Sequence, residues 1–184
     1  MENTKSNRLE SIENSKEFAE WMAKTLAMSK HDAGSLLENK QAFHFLIAWS
    51  LFETRCFETR LAFNKLKGFS NMVADRHPLV SELLSCHALH FHNRYKNGSL
   101  LKGLTNTDNQ ALRDLTNLVK KPFDRLCPSE IVFLVVAVVY RFRNNMFHGN
   151  KSVDTWWQYG EEMKLCIHSM QVLVSDDCKL GTVG

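Results

Sequence analysis

The sequence predicts an all-α fold, a single bundle of about five to six helices. Apolar residues recur at intervals of three and four along nearly the whole chain, which is the period of an amphipathic helix. The 184 residues are enough to bury a substantial core in one domain, and no internal repeat or linker divides them. We expect loose ends near residues 1–13 and 176–184.

The first two predicted helices carry clear apolar stripes. Asn14 and Glu17 have the spacing of a capping box, and the apolar face that follows consists of Phe18, Trp21, Met22 and Leu26. A longer second helix is predicted from about Ser35 to Lys67, with Gly68 as its stop. The stripe of this helix consists of Phe45, Trp49, Phe52, Cys56 and Phe63.

The later predicted helices follow the same pattern. Pro78 opens a third helix that ends near Gly98, with a stripe made of Val80, Leu83, Leu84, His87 and Phe91. A shorter fourth helix stops before Pro122 and carries Leu112, Leu115 and Leu118. Asp154 has the character of an N-cap for a last helix, whose apolar residues are Trp156, Met163, Ile167, Met170 and Val174.

The stretch "IVFLVVAVVY", residues 131–140, is the most apolar part of the chain. Its β-branched residues favour a strand by propensity alone. A helix is favoured because no partner strand exists elsewhere, Ser129 can cap its start and Gly149 can end it. A helix that is apolar all round belongs at the centre of a bundle or in a subunit interface. We therefore expect an all-α bundle with this helix at its centre. If the helix also lies at or beside a two-fold seam, the protein should be a dimer.

Composition and charge restrict the class of protein only loosely. The chain is 44% hydrophobic and 23% charged, which is ordinary for a soluble globular domain. Its net charge of +3 is too small to indicate an anionic partner without local clustering. The five scattered cysteines contain no CxxC pair and favour reduced thiols. The polar beginning and the short apolar run predict a cytoplasmic protein with no membrane contact.

A histidine-rich segment of the third helix is the candidate for a metal site. Cys86, His87, His90 and His92 cluster there. His92 points away from the other two histidines, and no acidic ligand lies at helical spacing, whereas a zinc site needs about four well-placed ligands. The chain also lacks the Glu-x-x-His pair of di-iron bundles. We expect no metal and no cofactor.

Some charged residues have both a structural and a functional interpretation. Glu53, in "WSLFETRCFETR", lies one turn from Trp49 and borders the apolar face. It is expected either to pair with a neighbouring arginine or to orient the basic residues of the motif below. Two basic groups are expected either to lie on a solvated face or to contact RNA phosphate. They are Lys151 and the set of Lys120, Lys121 and Arg125.

The stretch "RFRNNMFHGN", residues 141–150, directly follows the apolar run. Arg143 offers a planar fork of donors that matches a phosphate, and His148 can take or give a proton near neutral pH. Asn144 can orient either group, with Asn145 as a further helper. Together these groups suit cleavage of RNA by its own 2′-hydroxyl, without a metal.

Two questions of geometry remain within this motif. On a regular helix Arg143 and His148 are about 140° apart, so they meet only if the last turn distorts or if two copies pool their motifs. Arg141 also satisfies the spacing to His148. We favour Arg143 because Asn144 follows it, and because Arg141 points about 160° away we expect its replacement to be mild.

At these residues the chain resembles the HEPN superfamily, whose signature is R-x(4–6)-H with a polar residue after the arginine. "RNNMFHG" fits this signature through Arg143, Asn144 and His148, and it resembles the form found in bacterial Apea-like proteins. "FLIAWSLFE", residues 45–53, is similar to the same group.

The resemblance implies a helical bundle, a homodimer with a composite active site and metal-independent endoribonuclease activity that leaves 2′,3′-cyclic phosphate ends. It also implies a toxin–antitoxin or anti-phage role, with an antitoxin or defence protein as partner. Related toxins that are silenced by modification carry a tyrosine two places after the histidine. That place is Asn150 here, which argues against such control.

Two other functions stay open at this point. One is a non-catalytic HEPN-fold module that binds RNA or a protein. The other is an unrelated helical interaction protein, in which the polar motif only caps a buried helix.

Overall fold

The computed structural model of the protein describes residues 16–57, 61–106, 108–147 and 158–176. The regular elements within these ranges are helices, which confirms the predicted all-α class. None of the described helices combines the length and the apolar character needed to cross a membrane. Cys86, Cys127 and Cys166 are free thiols.

Ten helices lie in the described ranges, more than the five to six that the sequence predicts. In chain order they are residues 16–25 (α1), Lys30–Glu38 (α2), Lys40–Cys56 (α3), Leu66–Arg76 (α4), Pro78–Leu83 (α5), Ser85–Tyr95 (α6), Gly98–Thr105 (α7), Asn109–Lys120 (α8), Pro128–Phe147 (α9) and Gly160–Ser175 (α10). Short 3-10 turns cover Phe63–Lys65 and Phe123–Arg125.

The helix count was too low because predicted long helices are broken. The helix expected over Ser35–Lys67 is interrupted at Asn39, whose side chain accepts a hydrogen bond from the Gln41 N–H at 3.0 Å and so starts α3. It is interrupted again at Phe57, which is extended. Gly68, which was predicted to end this helix, lies inside α4 and does not end a helix.

The helix that Pro78 opens is confirmed at its start, but it breaks at Leu84 into α5 and α6. The predicted fourth helix is α8. Helix α7 was not predicted; the Asn97 side chain caps it by accepting from the Ser99 and Leu100 N–H groups at 3.0 and 3.2 Å. Several predicted features lie outside the described residues. They are the capping residues Asn14 and Asp154, the expected loose end at 1–13, and Trp156.

Helix α9 forms the centre of the bundle. The stretch predicted to be helical is helical, and its residues from Val132 to Val139 are all buried. Helices α4, α5, α6, α7, α8 and α10 of the same chain pack around it. The predicted place of this helix at the centre of the bundle is therefore confirmed, and the two-fold dimer stays a prediction. Burial of its apolar residues is the main force that fixes α9 in place.

Helix α3 packs along α10 and carries the predicted stripe into the core. Phe45, Trp49, Phe52 and Cys56 are buried, as the sequence predicts. The Phe45 ring lies 5.8 Å from the Phe142 ring of α9. Through this contact the middle of α3 is held against the carboxyl-terminal half of α9, where the motif lies.

The opposite side of α3 is also apolar, and it is exposed. Phe43, Leu46, Ile47 and Leu51 are 43–63% accessible, and we call these four residues the outer apolar face. Phe18 and Trp21, which belong to the predicted apolar face of α1, are 50% and 58% exposed. They help to line a groove of about 350 Å³ next to Phe43. An exposed apolar patch of this kind indicates a contact surface.

Candidate active site

The described part of the motif lies in the last turns of α9. It comprises Arg141, Arg143, Asn144 and Asn145. His148 and Lys151, which the sequence also singles out, lie outside the described residues. Helix α9 is described as far as Phe147, so the chain reaches His148 directly from the helix that positions Arg143.

Arg143 is half-buried between two aromatic rings. The centre of its guanidinium lies 5.4 Å from the Trp49 ring and 5.6 Å from the Phe147 ring. Its Nη1 donates a hydrogen bond to the Asn144 Oδ1 at 3.1 Å. A cation at this distance from a ring is attracted to the ring electrons, so the two rings restrict where the guanidinium can lie. Asn144 thus touches the arginine that it was expected to orient.

Glu53 reaches this site through Trp49. The indole Nε1 of Trp49 donates to Glu53 Oε2 at 3.2 Å, and the Leu61 main-chain N–H donates to Glu53 Oε1 at 3.1 Å. The carboxylate forms no ion pair with an arginine of the described ranges, so the expected pairing with a neighbouring arginine is not found there. Glu53 fixes the ring on which Arg143 stacks.

Asn145 points in the opposite direction, into the protein. It is fully buried, and its Nδ2 donates to the Gly103 and Leu104 carbonyl oxygens at 3.3 and 2.7 Å. A side chain this deeply buried is not placed to touch RNA directly, and its role as a helper stays a prediction. Asn145 fastens the end of α7 to α9.

Arg141 is engaged in the same way, at the junction of α7 and α8. Its Nη1 donates to Asp108 Oδ2 at 3.1 Å and its Nη2 to the Thr105 carbonyl at 2.6 Å. Asp108 is in turn the N-cap of α8, accepting from the Ala111 N–H at 2.9 Å. Arg141 is 8% exposed. Arg141 is thus held in a buried contact away from Arg143, and the expectation that its replacement is mild for cleavage stays a prediction.

The histidines of α6 have separate partners. His87 Nδ1 lies 2.9 Å from Ser169 Oγ, and His92 Nε2 lies 2.9 Å from the Lys121 carbonyl. His90 faces Glu161 and Glu162 of α10 at 4.0 and 3.8 Å. Burial, followed by the nearby His168 and His90, lowers the pKa of His87. Within the described ranges, no three His, Cys, Asp or Glu side chains are grouped to hold a metal ion.

Trp49 belongs to the candidate site, although its spacing in the sequence predicted only a core residue. It is buried, as predicted, and its ring also contacts the Arg143 guanidinium. The available signal was the four-residue spacing from Trp49 to Glu53, which puts an indole N–H next to a carboxylate on one side of a helix.

Comparison of the chain with models of known families, with curated proteins and with solved structures returned no match.

Proposed function

We propose that the protein is a metal-independent endoribonuclease of the HEPN type, acting in the cytoplasm in toxin–antitoxin or anti-phage defence. The observation that carries this proposal is the setting of Arg143. Its guanidinium is stacked on Trp49 and Phe147 and hydrogen-bonded to Asn144, and Arg143 precedes His148 by five residues in the chain. A surface arginine that only improves solubility does not need two aromatic supports and an amide partner.

The chemistry follows from these groups. His148 removes the proton of an RNA 2′-hydroxyl, and the 2′ oxygen attacks the adjacent phosphorus. Negative charge grows on the phosphate oxygens, and Arg143 stabilises it with donors that are already in place. The bond from phosphorus to the 5′ oxygen breaks, and that oxygen takes up a proton from the protonated His148, which returns the imidazole to its neutral form. The products are a 2′,3′-cyclic phosphate and a 5′-hydroxyl end.

Glu53, Trp49 and Asn144 are positioning residues in this scheme. Glu53 holds the Trp49 indole, Trp49 holds the plane of the Arg143 guanidinium, and Asn144 holds one of its edges. Preorganisation of this kind matters because a charge stabiliser that must first be oriented loses part of its effect. Lys151 fits a supporting phosphate contact, because it lies only three residues after His148.

The proposal includes a homodimer, with its seam at the outer apolar face rather than at α9. The four exposed side chains of that face lie opposite the core stripe of α3, so a second copy would bury what the single chain leaves in water. Leu46 lies three residues before Trp49 on the same helix. A seam there would bring the partner close to Arg143, as a composite site requires.

The test is incubation of the purified protein with a mixed RNA pool in EDTA. The proposal predicts cleavage, with cyclic phosphate and 5′-hydroxyl ends, and none of a DNA pool of the same sequences, which lacks the attacking hydroxyl. RNA that is bound but not cut would favour the non-catalytic binding module. Ends that carry a 5′-phosphate would indicate a different reaction.

A further inference from the structure

A polar pocket of about 270 Å³ lies between α4, α8 and the beginning of α9. Three residues of α4 contribute to it, four come from α8 and the residue that caps its end, and three come from α9. They are Lys67, Ser70, Asn71, Asp114, Asn117, Leu118, Lys121, Ser129, Glu130 and Phe133. The proposed chemistry at Arg143 uses none of them.

The charges of this pocket are arranged in two pairs. Lys67 Nζ lies 3.0 Å from Asp114 Oδ1 and 5.7 Å from the centre of the Phe133 ring. Lys121 Nζ is bonded to Glu130, whose other oxygen accepts from the Cys127 N–H at 3.1 Å. The pairs cancel in charge, so a simple anion gains little from this pocket. Each ammonium has three donors, however, and keeps some for a ligand oxygen.

Two asparagine side chains also line the pocket. Asn71 and Asn117 are exposed, and within the part of the chain that the structure describes their side chains form no hydrogen bond. An amide both donates and accepts, which is the pattern required by the edge of a nucleobase. The pocket therefore combines two amides that both donate and accept with two lysine ammonium groups, next to the Phe133 ring.

The pocket lies on the side of α9 that leads to Arg143. Phe133 and Tyr140 are seven residues apart on that helix, and the Phe63 ring lies 6.1 Å from one and 6.0 Å from the other. Tyr140 is 6.3 Å from Trp49, the ring that supports Arg143. A line of ring contacts thus joins the pocket to the site. Ten residues of helix separate Phe133 from Arg143, about 15 Å.

We infer that this pocket binds one unpaired nucleotide of the substrate RNA, at a fixed distance from the bond that is cut. The inference rests on the proposed ribonuclease function. Asn71 and Asn117 contact the base edge, and Lys67 and Lys121 contact its phosphate. A nucleotide held here selects which phosphodiester reaches Arg143, so the pocket is a specificity subsite for single-stranded RNA.

The test compares two exposed asparagines of α8, because Asn117 lines the pocket and Asn109 does not. A random RNA pool is incubated separately with four proteins, and the 5′-hydroxyl ends of the products are sequenced. The proteins are wild type, Asn109→Ala, Asn117→Ala and the Asn71→Ala/Asn117→Ala double variant. We expect a base preference at one fixed offset from the cut. The preference should be lost in the double variant, with KM raised about tenfold, and kept in Asn109→Ala.

The failure of this inference is distinguishable from the failure of the proposed function. Cleavage by the double variant at the same bonds and with unchanged KM would overturn the pocket assignment and leave the ribonuclease intact. If the wild type cuts no RNA, calorimetric titration with nucleoside 5′-monophosphates decides. Binding that the double variant lacks would support a nucleotide pocket without the nuclease, and no binding by the wild type would refute the pocket as well.

Discussion

Arg141 and Asn145 lie one turn apart on α9, and both donate to the Leu104 carbonyl oxygen, at 3.5 and 2.7 Å. Arg143 and Asn144, between them in the chain, bond to each other, and the Arg143 guanidinium stacks on Trp49. One segment of helix thus performs two tasks. Its inner side fastens α7, and its outer side carries the candidate catalytic arginine.

The inner side predicts a large loss of stability on replacing Arg141. Arg141→Ala removes the side-chain donor to the Thr105 carbonyl and one of the two side-chain donors to the Leu104 carbonyl, and it leaves Asp108 without its cation. Loss of one member of such a partly buried, charged pair costs about 2 kcal/mol. Urea unfolding should show a lower midpoint with an unchanged slope. A midpoint equal to that of the wild type would contradict the structural role.

The outer side predicts that Trp49 acts through its ring. Trp49→Phe keeps a ring beneath Arg143 but loses the bond to Glu53, whereas Trp49→Leu loses the ring. A cation–π contact contributes about 1 kcal/mol, so Trp49→Leu should lower kcat/KM about fivefold beyond Trp49→Phe. Both must be compared at equal folded fraction, read from circular dichroism. Equal kcat/KM in the two variants would show that the ring does not support Arg143.

The outer apolar face predicts the place of the dimer seam. Ile47→Lys puts a charge at the centre of that face and should give a monomer by light scattering at micromolar concentrations, with the fold retained. Leu79→Lys is the matched control, because Leu79 is 66% exposed on α5, away from this face. A wild type that is already monomeric, or an Ile47→Lys dimer, would refute the seam.

His87 predicts a dependence of stability on pH. Burial, with the nearby His168 and His90, lowers the pKa of the folded form below the ordinary value of 6.5. As pH falls below about 6.5 the unfolded chain binds a proton that folded His87 resists, so the free energy of unfolding decreases towards acid pH. His87→Gln should make this decrease smaller between about pH 7.5 and pH 5 in urea titrations. If the free energy of unfolding of His87→Gln decreases towards acid pH as much as that of the wild type, groups other than His87 cause the decrease.

The sequence was sufficient for the class of fold and for the central helix. The unbroken apolar run of residues 131–140 required burial on every side, and the structure provides it. Sequence periodicity did not show the breaks at Asn39 and Leu84, because the apolar stripe continues across them. It also could not distinguish the two arginines by environment. Burial of Arg141 depends on carbonyls about 36 residues earlier, which no local pattern encodes.

The central claim is that Arg143 and His148 cut RNA together. Its most direct test measures cleavage and RNA affinity for wild type, His148→Ala and Arg143→Ala in EDTA. We predict that His148→Ala lowers kcat by roughly 10² to 10⁴, because the proton-transfer group is lost. RNA affinity should stay nearly unchanged, because a neutral imidazole contributes little to phosphate binding. Arg143→Ala should lower both cleavage, by about 10² or more, and affinity. Wild-type cleavage by both variants would contradict the claim.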